Sequence, residues 1–266
     1  MLDSLKVGPG SAARIAERST DDRLGLEKAE GQKRLDELVE RIEELQYRLF
    51  AEERRSLLLV LQGLDASGKD GVVRRVFEGV NPTGVSVTSF RAPAGAELEH
   101  DYLWRIHRAL PRHGTIGVFN RSHYEDVVAV RMYEIAPEAV WRPRYAHLRD
   151  FERMLVDEGT TVLKVFLNVS REEQRARFQE RVDDPGKRWK FRRDDLQVRA
   201  RFDEWVAAWE EAVNETSTDW APWHIVPADR NWVKARAVTI SVSMATVVIR
   251  RRCSQKPRTS SHSETS

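Results

Sequence analysis

The segment that most constrains this chain lies at residues 57–71. Five consecutive aliphatic residues, Leu57 to Leu61, run without polar alternation into Gly63-Leu64-Asp65-Ala66-Ser67-Gly68-Lys69-Asp70-Gly71. A short apolar run stopped by a glycine turn is the pattern of a strand buried on both faces of a parallel sheet. Gly63 and Gly68 let the backbone curl, so that the N–H groups from Ala66 and Ser67 to Asp70 turn toward a single anion. The helix that follows adds its positive end, and Lys69 adds a point charge. The setting of strand, loop and helix separates a phosphate-binding loop from an ordinary glycine turn. One position departs from the pattern. The residue after the lysine should be Ser or Thr, to hold Mg²⁺, and here it is Asp70. The metal must then be held differently. Asp65 lies inside the loop, where a carboxylate beside bound phosphates makes electrostatic sense only with a cation between them. The departure points to a phosphotransferase variant rather than a switch GTPase or a motor ATPase.

The rest of the chain supplies the sheet. Further strands are predicted at Val85–Phe90, Ile116–Phe119, Thr161–Leu167 and Trp223–Val226. Helical patterns separate them at 70–79, 96–110, 137–157, 171–182 and 194–215. This alternation predicts a five-stranded parallel sheet with helices on both faces. Ahead of it, Leu35, Leu38, Ile42, Leu45 and Leu49 form one apolar stripe on a charged helix over 32–55. Packing on its own domain is the reading favoured for that helix; two heptads are short for a dimerising coiled coil. Residues 1–30, with breakers at Gly8, Pro9 and Gly10, read as a flexible arm. The domain then spans 31–249, and 250–266 reads as a disordered basic tail.

Polar residues crowd the end of the third strand as Asn120-Arg121-Ser122-His123-Tyr124-Glu125-Asp126. Ligands bind at the carboxyl ends of strands in an open parallel sheet. There Arg121 can fork onto phosphate oxygens, and Glu125 and Asp126 can hold metal or polarise its waters. The usual strand-end aspartate is replaced by Asn120. Residues 171–193 carry nine Lys/Arg and five Asp/Glu, with a Pro185-Gly186 hinge. A one-signed helix of that kind reads as a lid over transferring phosphates. Arg74, Arg75 and Arg91 can extend a cationic track from Lys69 toward a long polyanion. His100 and His107 lie seven apart on the helix expected at 96–110 and show no metal-ligand spacing.

Composition sets outer limits. With 44 Lys/Arg against 42 Asp/Glu the net charge is only +2, which excludes a basic nucleic-acid coat as a description of the whole. One cysteine, Cys253, excludes an internal disulfide framework and paired-cysteine zinc sites. No apolar stretch suits a leader or a membrane span, so a cytoplasmic protein with no membrane or nucleic-acid partner is expected.

Taken together, LLVLQGLDASGKDG (58–71), NPTGVSVTSFRAP (81–93), HDYLWRIHRALP (100–111), GVFNRSHYEDV (117–127), DEGTTVLKVFLNVS (157–170), DDPGKRWKF (183–191) and TDWAPWHIVPADR (218–230) resemble the family-2 polyphosphate kinases. The likeness covers about residues 20–235. It implies a three-layer P-loop kinase fold with a helical lid. The implied activity is transfer of a phosphoryl group between inorganic polyphosphate and adenine nucleotides, with guanine as a second candidate base. The asparagine-bearing form at 120–126 resembles the branch that accepts nucleoside mono- and diphosphates. Carried over, Asp65 helps to hold Mg²⁺, with Asn120 and Glu125 as further ligands. Lys69 contacts the transferring phosphate, Arg121 neutralises it, and Asp126 supports metal or acceptor. Arg175, Arg177, Arg181, Lys187, Arg188 and Lys190 fall in the lid or polyphosphate channel. Arg74 and Arg75 match positions of variable charge. A homodimer or homotetramer is implied as well. The likeness fails after about residue 235, where the β-branched run from Val238 to Ile249 is poor helix material. Two other readings stay open: a nucleoside monophosphate kinase using ATP, and a binder that has lost catalysis.

Overall fold

In the computed structural model, residues 2–191 and 194–251 are described. The chain enters with helix α1 (Leu2–Leu5), strand β1 (Lys6–Val7) and, past a 3-10 turn, helix α2 (Lys28–Glu52). Strand β2 (Ser56–Gly63) leads into the glycine loop, and α3 (Lys69–Val76) leaves it. Next come β3 (Val85–Ser89), α4 (Trp104–Arg108), β4 (Ile116–Asn120), α5 (Glu125–Met132), α6 (Glu138–Trp141), α7 (Arg144–Asp157) and β5 (Thr160–Asn168). The chain then runs through α8 (Arg171–Asp183), α9 (Asp194–Ala200), α10 (Phe202–Thr216), β6 (Trp223–Pro227) and α11 (Asn231–Arg251).

The sheet is six-stranded in the order β1-β6-β5-β2-β4-β3. The five expected strands are all parallel, and β2 lies between β4 and β5. Every residue of β2 is buried, as a strand covered on both faces requires. Leu61 lies opposite Asn120 and Gly63 opposite Leu167, so β2 and β4 end side by side.

The sixth strand corrects the expectation of a flexible arm. β1 pairs antiparallel with β6, and Leu5, Val7, Ala13 and Ile15 are buried. Long-range acceptors fix this segment: Ala13 N–H donates to Asn214 Oδ1 and Ile15 N–H to Glu210 Oε2, each at 2.7 Å. Single apolar residues among polar ones carry no periodicity, so the sequence pattern could not announce them.

Helix breaks account for most other differences. The stretch expected as one helix over 96–110 is a 3-10 turn at Gly95–Glu99 and then α4, with Asp101 Oδ1 accepting from Leu103 N–H at 2.9 Å. His100 and His107 therefore share no continuous face. His100 stacks on Trp104 and His107 meets Phe151 edge-on. Pro143, which has no N–H to continue the ladder, separates α6 from α7. Helix α5 lies outside the helical stretches expected above, and its first turn carries the acids Glu125 and Asp126.

The β-branched run is helical after all, as α11. It packs on α2, where a side chain at Gly31 would meet the Trp232 ring at 2.1 Å; glycine alone permits that approach. Three hydroxyls, Thr239, Ser241 and Thr246, donate to the carbonyls four residues back, at 2.7–2.9 Å. Burial of Ala235, Ala237, Val238 and Val242 outweighs intrinsic propensity here. The α2 stripe faces inward at Leu35, Ile42, Leu45 and Leu49. Beyond Arg251 the basic tail lies outside the described residues, as do Arg192 and Arg193 of the basic segment. No described helix is long and apolar enough to cross a membrane.

A charged network lies in the core below β4. Lys164 Nζ donates to Glu152 Oε2 at 2.6 Å, Tyr124 Oη at 3.0 Å and the Thr216 carbonyl at 2.7 Å. Tyr124 Oη donates to Glu152 Oε1 at 2.8 Å, and His123 Nε2 lies 3.3 Å from the same oxygen. All four side chains are fully buried. Burial alone would raise the Glu152 pKa, but Lys164 and His123 hold it below the usual carboxylate range. Glu152→Ala strands a buried ammonium, so a loss of about 3–5 kcal/mol is expected in urea unfolding. Glu152→Leu combined with Lys164→Met should recover much of it. A single mutant as stable as the parent would show that the pair contributes nothing.

Candidate active site at the strand ends

The loop geometry explains its glycines. At Gly63, with φ of 148°, a Cβ would lie 2.8 Å from the Leu167 carbonyl oxygen. Gly68 adopts φ of 97° at the N-cap of α3, which has no side-chain cap. Ala66 sits at φ of 62°, a conformation costly for a residue with a Cβ and one that clusters at functional sites. The first turn of α3 is thereby left open to an anion.

Lys69 folds back into this loop. Its Nζ donates to the Gly63 carbonyl at 2.6 Å and the Leu64 carbonyl at 3.3 Å. Burial lowers its pKa to about 8, aided by the Arg121 charge and opposed by Asp65, Glu125 and Asp70.

The turn after β4 meets the loop from the side. Arg121 N–H donates to the Leu61 carbonyl at 3.1 Å, and the residue is held at φ of 63°. Its guanidinium pairs with Asp65 Oδ1 at 2.5 Å. Asn120, expected among metal ligands, instead donates its Nδ2 to Asp70 Oδ1 at 2.6 Å and ties β4 to α3. Gln62 bridges inward when its amide is oriented to satisfy both ends. The nitrogen donates to Glu125 Oε1 and the oxygen accepts from Ser122 Oγ, each at 3.0 Å. Burial raises the Glu125 pKa, against the pull of Arg121 and Lys69. Asp126 points elsewhere. It pairs at 3.2 Å with Arg105, which also donates to the Arg91 carbonyl at 2.7 Å. Burial raises the Asp126 pKa and Arg105 opposes it. The pair anchors the segment after β3, so Asp126, expected to support metal or acceptor, is engaged by Arg105 instead.

The base of the basic segment reaches the loop, while Lys187 and Arg188 farther out bond within the segment. Ser170 caps α8, accepting from Glu173 N–H at 3.0 Å. Gln174 donates to the Asp65 carbonyl at 3.0 Å. Arg177 uses all five N–H donors on protein acceptors: Glu173, the carbonyls of Ala66 and Ser67, and those of Ala228 and Asp229. That corrects its expected role as a phosphate ligand. Lys187 pairs with Glu180 and Asp184 at 2.6 and 3.2 Å, and Arg188 Nε donates to the Val182 carbonyl at 2.8 Å. Arg181 lies over Phe178 and Lys190 over Trp189, while Arg175 is exposed. Arg75 is drawn to Asp36 and Glu78, away from any cationic track, and Arg74 is exposed.

Three residues that hold this site were not foreseen: Arg105, Gln174 and Lys234. Lys234 Nζ donates to the carbonyls of Ser67 at 2.8 Å and Ala228 at 3.2 Å. Burial, then the Arg177 charge, lowers its pKa to about 7. Arg105 falls within the run HDYLWRIHRALP and Gln174 within the basic segment, neither with a role expected of it, and Lys234 lies in none of the motifs given above.

A phosphate cradle at the end of the central strand, faced by a lysine, an arginine and two carboxylates, defines a P-loop phosphotransferase. The sequence matches the family model for Polyphosphate kinase 2 (PPK2) over residues 25–254, and the chain belongs to that family. It is 55% identical over 197 residues to the AMP/ADP-polyphosphate phosphotransferase of Meiothermus ruber, covering 74% of each chain. It is 46% identical over 203 residues to the ADP-polyphosphate phosphotransferase of Rhodopseudomonas palustris, covering 72% of this chain and 70% of that one. The crystal structure of Polyphosphate Kinase 2 from Arthrobacter aurescens TC1 matches with a TM-score of 0.89 at 39% identity, over 99% of this chain and 93% of that one.

The lowered pKa of Lys69 has a calorimetric consequence. A phosphate chain beside the amine favours its charged form, so binding near pH 8 should take up protons. Titrating tripolyphosphate at pH 8 in buffers of different ionisation enthalpy should give different apparent heats. The difference should shrink in Lys69→Met. Heats independent of buffer would contradict the buried, partly neutral lysine.

Proposed function

We propose that this chain transfers phosphoryl groups between inorganic polyphosphate and adenine nucleotides, accepting both AMP and ADP and working reversibly. The carrying observation is the convergence of Lys69 and Arg121 with Asp65 and Glu125 on one open loop. The likeness to the Meiothermus ruber AMP/ADP-polyphosphate phosphotransferase supports the choice of substrates.

The chain's own groups fit direct in-line transfer. The amides of the loop and of the first turn of α3 would hold the phosphate being moved. Lys69 and Arg121 would neutralise the charge that develops on its oxygens. Arg121 exchanges its Asp65 partner for phosphate as the substrate enters. His123, the histidine nearest the site, does not offer a covalent relay: it is fully buried with Nε2 turned to Glu152.

The donor set suits a divalent metal. Among the described residues no three His, Cys, Asp or Glu side chains gather into a closed cage. Asp65 and Glu125 nonetheless lie close enough that Asp65 raises the Glu125 pKa. Two hard carboxylates beside a phosphate site match Mg²⁺, which takes its other ligands from phosphate and water. Asp65 and Glu125 would hold the metal, and the chemistry it would supply there is positive charge to offset that of the phosphate. Arg175 and, beyond Phe178, Arg181, Lys187, Arg188 and Lys190 form the proposed lid and polyphosphate path, with exposed Arg74 on α3 as a further cation. The cytoplasm is the proposed setting and a dimer or tetramer the proposed state, for which exposed Tyr47 and Phe50 on α2 offer apolar surface.

Purified protein given polyphosphate with AMP, and separately with ADP, should form ADP and ATP with no second nucleotide present. Lys69→Ala should fall by at least about a hundredfold while keeping the parental circular dichroism. A protein that phosphorylates AMP only when ATP is the donor would overturn this reading.

A further inference from the structure

The back of the phosphate loop holds a second cation whose purpose the transfer chemistry alone does not explain. Lys234, in the first turn of α11, is 2% exposed. Among the described residues its Nζ is hydrogen-bonded to two carbonyl oxygens, those of Ser67 and Ala228, and to no carboxylate. A buried ammonium without an anionic partner is costly. Here it lies against Gly68, where a Cβ would come within 2.4 Å of Nζ.

The Ser67 carbonyl is held twice. Lys234 Nζ donates to it at 2.8 Å and Arg177 Nη1 at 3.0 Å, which fills both lone pairs. The Ser67–Gly68 peptide is planar and trans, since the described chain has no cis peptide. Fixing its carbonyl on the Lys234 side therefore turns the Gly68 N–H to the opposite side, toward the open face of the loop. Without the two cations that peptide would be free to rotate and present its oxygen, a partial negative charge, to an incoming phosphate.

We propose that Lys234 is a positioning residue. With Arg177 it clamps the Ser67 carbonyl, so that the Gly68 amide is aimed at the transferring phosphate before substrate arrives. Gly68 belongs to the same device, because any side chain there would displace the amine. The clamp rests on the reading of this loop as a phosphate cradle, and its test separates the two.

Tripolyphosphate binding is measured by calorimetry and turnover with AMP by a coupled assay, for the wild type and for Lys234→Met. Loss of one aimed amide should weaken tripolyphosphate binding about tenfold or more and lower kcat, with KM for AMP within about twofold. A wild-type chain that does not bind tripolyphosphate sinks the cradle, and the clamp with it. A wild-type chain that binds, beside a Lys234→Met variant with a lower melting temperature but unchanged binding and kcat, sinks the clamp alone. Should Lys234→Met not fold, the wild-type Gly68 amide decides by NMR. A downfield proton shift on adding tripolyphosphate supports the clamp, and a resonance that stays in place overturns it.

Discussion

The parallel pairing of β2 with β4 and β5 is the constraint on which the rest of the molecule depends. A central strand has every backbone group satisfied by its neighbours, so it cannot slip without breaking two ladders at once. That register places Gly63 beside Leu167 and Leu61 beside Asn120. The glycine loop and the Arg121 turn then leave the sheet at the same height, and neither needs a long excursion to meet the other. Asp65 reaches Arg121 across 56 residues of sequence because two strand ends are aligned.

Strain and burial at this edge are supported from below. Ala66 and Arg121 both sit at positive φ, a state that persists only where the surroundings fix it. For Arg121 the support is the buried network of His123, Tyr124, Glu152 and Lys164, which grips the two residues between Ser122 and Glu125. For Ala66 it is Arg177, which takes its carbonyl at 2.9 Å. Charged groups in the core are weak sources of net stability. Their value here is that they hold the side chains of the turn that joins β4 to α5, whose backbone is bonded to Leu61 and to the first turn of α5.

The sheet and the loop were legible because their signals are contiguous: five aliphatic residues, then glycines at a fixed spacing. Lys69, Asp65, Arg121 and Glu125 fell within such runs. The arm was misread because Leu5, Val7 and Ile15 are isolated in sequence and bury themselves only against β6 and α10. The last helix was misread because Val238 to Ile249 favours strand locally, and only α2 supplies the surface that makes it helical. Arg177 was seen as a phosphate ligand because a charge run does not reveal which of its members face carbonyls. Lys234 was invisible for the complementary reason, a lone lysine with no neighbours of its kind. Asp126 looked like Glu125, yet one residue along a helix is a turn of about 100°, enough to face Arg105 instead.

The five donors of Arg177 also limit how this enzyme can move. They fasten α8 at once to the glycine loop and to the segment after β6. The helix cannot swing as a rigid rod from Ser170 without tearing that junction. Past Phe178 the bonds of Lys187 and Arg188 stay within the segment itself: Lys187 pairs with Glu180 and Asp184, and Arg188 donates to the Val182 carbonyl. The fastened root lies within α8 (Arg171–Asp183), whereas Lys187, Arg188 and Lys190 follow its end, and a single guanidinium carries the fastening.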